Sequence, residues 1–281
     1  MPLPSLSAPT SFSLAAVFSW GTSDFVGGYG ARRANAFLLT AIAHLSGLVL
    51  MAVVALATHS PFPSRAAVAW ALLGGLSGGG ALAIFYRALA TGRMGLTAPV
   101  AAVLGAAIPT AFGMIREGLP QSAQIVGFVL AATGIWLISR SEDGSPPEGI
   151  GMAALAGIGF AGFYLCMKQA GDGSAFWLAA TSKVASFTLT GLIVLFGRAA
   201  REIDLSGIAL GVLAGCLDVI GSVLFIRASQ TGRLDAAVVL SSLYPAVTVL
   251  LARFILKEHF TRWKALGMVS ALLAVPMIAW R

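Results

Sequence analysis

The sequence predicts an all-α integral membrane protein in which ten transmembrane helices form two inverted five-helix repeats around a central cavity. Three observations carry this expectation. Apolar residues make up 58% of the 281-residue chain and charged residues only 10%, with a mean hydropathy of +0.88. A soluble domain needs about a quarter of its residues charged to cover its surface. Ten apolar runs, each close to the ~20 residues that cross a bilayer, alternate with short polar gaps. Finally, Arg87-Ala88-Leu89-Ala90-Thr91-Gly92-Arg93 recurs as Arg227-Ala228-Ser229-Gln230-Thr231-Gly232-Arg233, displaced by 140 positions, so one half is written twice.

Taken in order, the expected spans are 12–31, 35–57, 67–90, 97–115, 122–139, 149–168, 174–196, 206–229, 235–256 and 263–280. The breaks are Arg32-Arg33, Ser60-Pro61-Phe62-Pro63-Ser64, Thr91-Gly92-Arg93 and Glu117-Gly118-Leu119-Pro120, all turn or charge chemistry. The most polar gap, 141–148, is the expected linker between a first unit, 1–140, and a second, 149–281. The likeness extends beyond the opening motif. Leu14-Ala15-Ala16 and Trp20-Gly21 align with Met152-Ala153-Ala154 and Ile158-Gly159, and His44 aligns with Lys183. Five spans is an odd number, so a tandem copy enters the bilayer from the opposite side, the geometry of alternating access. An even total puts both termini on one side, taken here as the cytoplasmic side of a bacterial inner membrane. The basic residues run against that choice, since Arg32, Arg33, Arg87, Arg140, Arg198 and Arg201 would then lie outside. Met1-Pro2-Leu3-Pro4-Ser5 lacks a positive n-region and reads as a short lead-in rather than a cleavable signal.

Several function classes recede on composition. The net charge is +7, but the basic residues fall mostly singly in gaps, with no stripe for nucleic acid, and read as headgroup anchors. Cys166 and Cys216 lie in apolar runs as packing residues, without disulfide or Cys-x-x-Cys spacing. His44, His59 and His259 are scattered, so neither a metal nor any other cofactor is expected. The run from Gly74 to Gly80 lacks the Gly-Lys-Ser/Thr ending of a phosphate loop and reads as a close-packing helix beside the cavity. A secondary transporter leads. The rivals are an intramembrane lipid-modifying enzyme, which would need a nucleophile and base or a metal cluster, and a channel or scaffold without a transport cycle.

The segment Trp20-Gly21-Thr22-Ser23-Asp24-Phe25, the paired Thr-Gly-Arg turns and the breakpoints at Glu117 and Glu258 resemble the EamA family of the drug/metabolite transporter superfamily. The resemblance covers nearly the whole chain. It implies a ten-helix carrier of two inverted five-helix repeats, moving small metabolites or drugs, often outward. The family's second helix commonly carries an arginine; here that neighbourhood holds His44, with Lys183 as its repeat partner.

Four ionisable residues lie well inside apolar segments: Asp24, His44, Lys183 and Asp218. Exposing the three Asp and Lys residues to lipid would cost on the order of 8–10 kcal/mol, so they should face the bundle interior. Small residues one turn away, such as Gly21 and Gly28 around Asp24 and Gly215 and Ser222 around Asp218, leave room there. The expectation is that Asp24 and Asp218 line the cavity and bind a proton or a cationic group of a small-molecule substrate, with Lys183 countering a carboxylate. The bland alternative is a permanent pair of Asp24 or Asp218 with Lys183 or His44, a lock rather than a site. Trp20 is a candidate aromatic wall, and Tyr244 and Tyr164 are candidate hydrogen-bonding groups. Tyr86, near a helix end, suits an interface belt better. Pro99, Pro109 and Pro245 remove backbone donors within helices and are candidate gate hinges. Arg87 and Arg227 are candidate mouth residues, with snorkelling anchors as the plainer reading. Glu117 and Glu258 are expected to cap the helix that follows each of them. The fifth and tenth helices, poor in polar residues, should be outer helices.

Overall fold

A computed structural model describes residues 7–92, 94–138, 148–197, 203–258 and 261–278. Arg93, His259 and all of the expected linker except Glu148 lie outside the described residues. Those residues form α1 (Ala8–Ala31), α2 (Ala36–Ala57), α3 (Arg65–Thr91), α4 (Met94–Glu117), α5 (Ser122–Ile138), α6 (Ile150–Gln169), α7 (Ala175–Phe196), α8 (Leu205–Thr231), α9 (Leu234–Ser241), α10 (Tyr244–Ile255) and α11 (Arg262–Ile278). No strand occurs among them.

Helix starts follow the polar residues at the gaps. Asn35 accepts from the amides of Phe37 and Leu38, Ser64 from Ala67, and Asp204 from Gly207, each satisfying donors that the first turn leaves free. Seven apolar stretches are long enough to cross a membrane, in α2, α3, α4, α6, α7, α8 and the combined run Leu234–Ile255; Ser122–Leu137 in α5 is a shorter one. The first helix falls outside this group because Ser13, Ser19, Ser23 and Asp24 dilute it, and all four are buried.

The expected ninth span is not one helix. It breaks at Ser242–Leu243 into α9 and α10. Pro245, expected to kink a continuous helix, instead sits in the first turn of α10. A proline cannot donate to the carbonyl four residues back, and it disfavours helical geometry in the residue before it. The chain crosses the gap with tight turns, Leu243 N to Leu240 O at 3.2 Å and Ala246 N to Leu243 O at 3.0 Å. Pro99 and Pro109, by contrast, lie buried within an unbroken α4.

The strongest packings pair α1 with α8, α5 with α11 and α3 with α6, followed equally by α2 with α7 and α3 with α7. Contacts are exchanged reciprocally between the halves. A Cβ on Gly75 of α3 would collide with the backbone of Ser182 in α7, and a Cβ on Gly215 of α8 would collide with the backbone of Ala43 in α2. Gly75 and Gly215 are 140 positions apart, as are the two copies of the Arg-x-x-x-Thr-Gly-Arg stretch, and glycine at each lets backbones touch. The burial pattern is that of a chain in lipid. Large apolar side chains such as Val49, Val53, Val129, Trp136, Phe196 and Leu273 are exposed, whereas many small and polar ones are buried beside core residues such as Phe85 and Phe225. α5 and α11 pack chiefly on each other and expose such residues, as outer helices do.

Candidate functional site

Between α1, α3, α6, α7, α8 and α10 lies a cavity. Five of the six residues expected to carry binding line it: Trp20, Asp24, Lys183, Asp218 and Tyr244. Asp24 is 5% exposed, Lys183 5% and Asp218 8%. They share one space because each occupies the middle of its helix on the side occupied by small residues. Gly78 and Gly79 of the glycine run in α3 form part of the same wall.

Lys183 Nζ pairs with Asp218 Oδ2, a buried ion pair between α7 and α8. Asp24 makes no hydrogen bond or ion pair with any other described residue, although its carboxylate lies within electrostatic reach of Asp218. Two carboxylates and one ammonium therefore face the cavity, with one carboxylate left unmatched. Trp20 is fixed over this group: its Nε1 donates to Asp218 O at 3.1 Å, and its ring packs on Gly221, where a Cβ would come within 2.5 Å of the indole. An aromatic shell continues from it. Trp20 lies 5.9 Å from Tyr164, 5.7 Å from Phe225 and 6.5 Å from Tyr244 between ring centroids, and Tyr164 lies 4.7 Å from Phe225. The Tyr244 and Ser241 hydroxyls are buried without a hydrogen-bond partner at the α9–α10 break.

The remaining expected residues fall elsewhere. His44 is fully buried behind the wall, with Nε2 3.4 Å from Gly79 O, Nδ1 unpartnered, and the Lys183 charge in reach. Arg87 and Arg227 are exposed and do not reach the cavity. Tyr86, expected at an interface belt, is instead fully buried. Its hydroxyl lies 3.1 Å from Ser23 Oγ, and its ring fills the space a Cβ on Gly27 would occupy. Proximity to a helix end misplaced it, because the end of α3 tucks under α1. Ser222, expected to leave room beside Asp218, also lines the cavity; Ser182, Phe160 and Phe163 line it too and were not singled out beforehand, and of these only Phe160, one turn from Tyr164, could have been found by helical spacing. Among the described residues no group of three His, Cys, Asp or Glu is placed to hold a metal.

Glu117 was expected to serve the helix that follows it, and it does something else. Its Oε2 accepts from Leu234 N at the start of α9 at 3.1 Å, and Oε1 pairs with Lys168 at the end of α6 at 3.0 Å. Arg233 donates to the carbonyls of Glu117 at 3.1 Å and Gly118 at 2.6 Å and pairs with the fully buried Asp235. The second copy of the repeated Thr-Gly-Arg turn thus ties the end of α4 to α9. Glu258 pairs with Arg32, which follows α1, at 3.4 Å.

No curated protein matches the chain in sequence. A solved crystal structure superposes with a TM-score of 0.79 over 98% of this chain and 99% of that one at 18% identity, a likeness of fold. Residues 147–280 match the sequence model of the EamA-like transporter family, the stretch that supplies Tyr164, Lys183, Asp218 and Tyr244 to the cavity. The chain is accordingly a multi-pass integral membrane protein whose second half, residues 147–280, is similar to the EamA-like transporter family of the drug/metabolite transporter superfamily.

Proposed function

We propose that the chain is a secondary active transporter that moves small metabolites or drugs by alternating access, with Asp24 as the residue that binds either the substrate's cationic group or a proton. Ten crossings arranged as two inverted five-helix repeats, 1–140 and 149–281 joined through 141–148, supply the two-faced geometry this requires. The reciprocal contacts at Gly75 and Gly215 support that arrangement. The observation that carries the reading is the unmatched Asp24 carboxylate, buried in the cavity beside a complete Lys183–Asp218 pair. A lone buried carboxylate is costly to hold charged, so the site favours the arrival of a cation or a proton.

The aromatic shell of Trp20, Tyr164, Phe225 and Tyr244 suits an apolar body or a cation lying over its rings. Amino-acid-like solutes and amine-bearing drugs fit this combination. The buried, unpartnered Tyr244 hydroxyl in the cavity wall offers a hydrogen bond to a polar end. Placement in a bacterial inner membrane, with both termini on one face and outward transport, belongs to the same proposal. The reading is of a carrier and not of an enzyme, since the cavity groups named here pair ionically or stack instead of forming a nucleophile–base couple.

The test is flux of a mixed amino-acid and amine panel in proteoliposomes with and without a pH gradient, comparing the parent with Asp24→Asn. Saturable accumulation that requires the gradient, and is lost in Asp24→Asn, is the expected result. Unsaturable flux, or Asp24→Asn indistinguishable from the parent in rate and pH dependence, overturns it.

A further inference from the structure

Two ion pairs occupy closely corresponding places in the duplicated chain. Glu117 and Glu258 are repeat partners at the ends of α4 and α10. Glu117 reaches across to Lys168 at the end of α6, the first helix of the second half, at 3.0 Å. Glu258 reaches across to Arg32, just past the end of α1, the first helix of the first half, at 3.4 Å. Each pair therefore joins one half to the other, and at the displacement of 138 that aligns Trp20-Gly21 with Ile158-Gly159, Arg32 falls two positions past Lys168, so the two pairs sit at closely corresponding places.

Chain direction places them at opposite ends of the bundle. Short connections reverse the chain after α1, α2 and α3, so the end of α4 lies opposite the end of α1. Contacts agree. Gly92, following α3, abuts Glu148 at the start of α6, so α6 sets out from the α1–α3 end and delivers Lys168 to the other. There Lys168 also donates to Ser229 O near the end of α8 at 3.0 Å. Trp177 at the start of α7 donates to Ser60 O, following α2, at 3.0 Å, which fixes the same end. α10 runs back and brings Glu258 to Arg32. All four side chains are 19–32% exposed, at the rims rather than in the core.

We propose that Glu117–Lys168 and Arg32–Glu258 are matched latches at the two mouths of the cavity, each opening when the cavity opens to its own face. This rests on the alternating-access reading above. Ion pairs that are partly solvated are weak, and a weak pair suits a latch that must open in every cycle. Because the two pairs hold opposite ends of the bundle, breaking one biases the protein toward one face and breaking the other biases it toward the opposite face.

The experiment uses the full chain in oriented membranes, with Cys166→Ser and Cys216→Ser removing native thiols and Ser222→Cys reporting from the cavity wall. A membrane-impermeant thiol reagent is applied to one face at a time. Glu117→Gln and Lys168→Gln are expected to raise labelling from one face by about two- to fivefold, and Arg32→Gln and Glu258→Gln from the other. Lys168→Arg and the swapped pair Arg32→Glu with Glu258→Arg should label as the parent does. Should one neutral variant fail to fold, its partner on the same latch gives the same reading. Folded variants of the two latches that shift labelling toward the same face, or leave it unchanged, overturn the proposal. Labelling is read without a transported solute, so the two readings fail separately. Lost flux in the panel with intact face shifts condemns only the transporter reading. Asp24-dependent flux with unshifted labelling condemns only the latches.

Discussion

Lys183→Met removes the only cation paired with Asp218 among the described residues and leaves the side-chain volume nearly unchanged. Asp218 is 8% exposed and Asp24 5%, so the variant holds two carboxylates in one cavity with little water to screen them. Removing one member of a buried ion pair costs about 3–5 kcal/mol, most of it the penalty of stranding the other charge. The contacts of Trp20 to Asp218 O and of Ser222 Oγ to the same carbonyl are to backbone and should survive. The loss is therefore electrostatic, and removing the stranded charge should reverse it. Lys183→Met with Asp218→Asn is expected to recover most of the stability lost by Lys183→Met alone. Equilibrium unfolding in mixed micelles, with the four proteins of this double-mutant cycle side by side, gives the coupling directly. A Lys183→Met protein as stable as the parent, or a double variant no better than the single, would refute the assignment of Lys183–Asp218 as a buried pair whose charges depend on each other.

Other outcomes follow from the same geometry. Asp24→Asn should abolish gradient-driven accumulation or weaken cationic substrates at least about tenfold, the scale of one lost charge-assisted contact, as read by flux and by binding in detergent. Gly75→Leu and Gly215→Leu each drive a side chain into a neighbouring backbone and should cost about 2–3 kcal/mol. Gly191→Leu, with open space around its Cβ, should be tolerated in the same unfolding assay. Tyr86→Phe should lose about 1 kcal/mol, since Ser23 keeps its bond to Ala214 O at 2.8 Å while the contact to the phenol is gone. Pro245→Ala restores the missing donor and should slow turnover while leaving substrate affinity near that of the parent, measured by flux and binding on one preparation.

How the charges would be used was only partly legible in the sequence. Asp24, Lys183 and Asp218 stand out because ionised groups are expensive in lipid, so each had to face inward, and inward on a small bundle means one shared cavity. That cost depends on composition alone. Which carboxylate Lys183 would choose was open between Asp24 and Asp218, because the choice turns on how α7 is set against α8. Long-range packing at Gly75–Ser182 and Gly215–Ala43 sets that register, and no local pattern encodes it.

The same division runs through the rest of the molecule. Apolar composition determined by itself that the chain lies in a membrane, because lipid solvation leaves a mark that survives without contacts, and the repeated Arg-x-x-x-Thr-Gly-Arg stretch is what pointed to two copies of one unit. Pro245 announced an irregular helix, but whether it bends or breaks depended on the turn at Ser242–Leu243 being supported by its neighbours. Glu117 announced a helix end, yet its partners Lys168 and Leu234 N belong to the other half, 51 and 117 positions along the chain. Partner choice is decided by tertiary structure because a hydrogen bond or a close ion pair needs its atoms about 3 Å apart, and only the folded bundle brings those atoms so close.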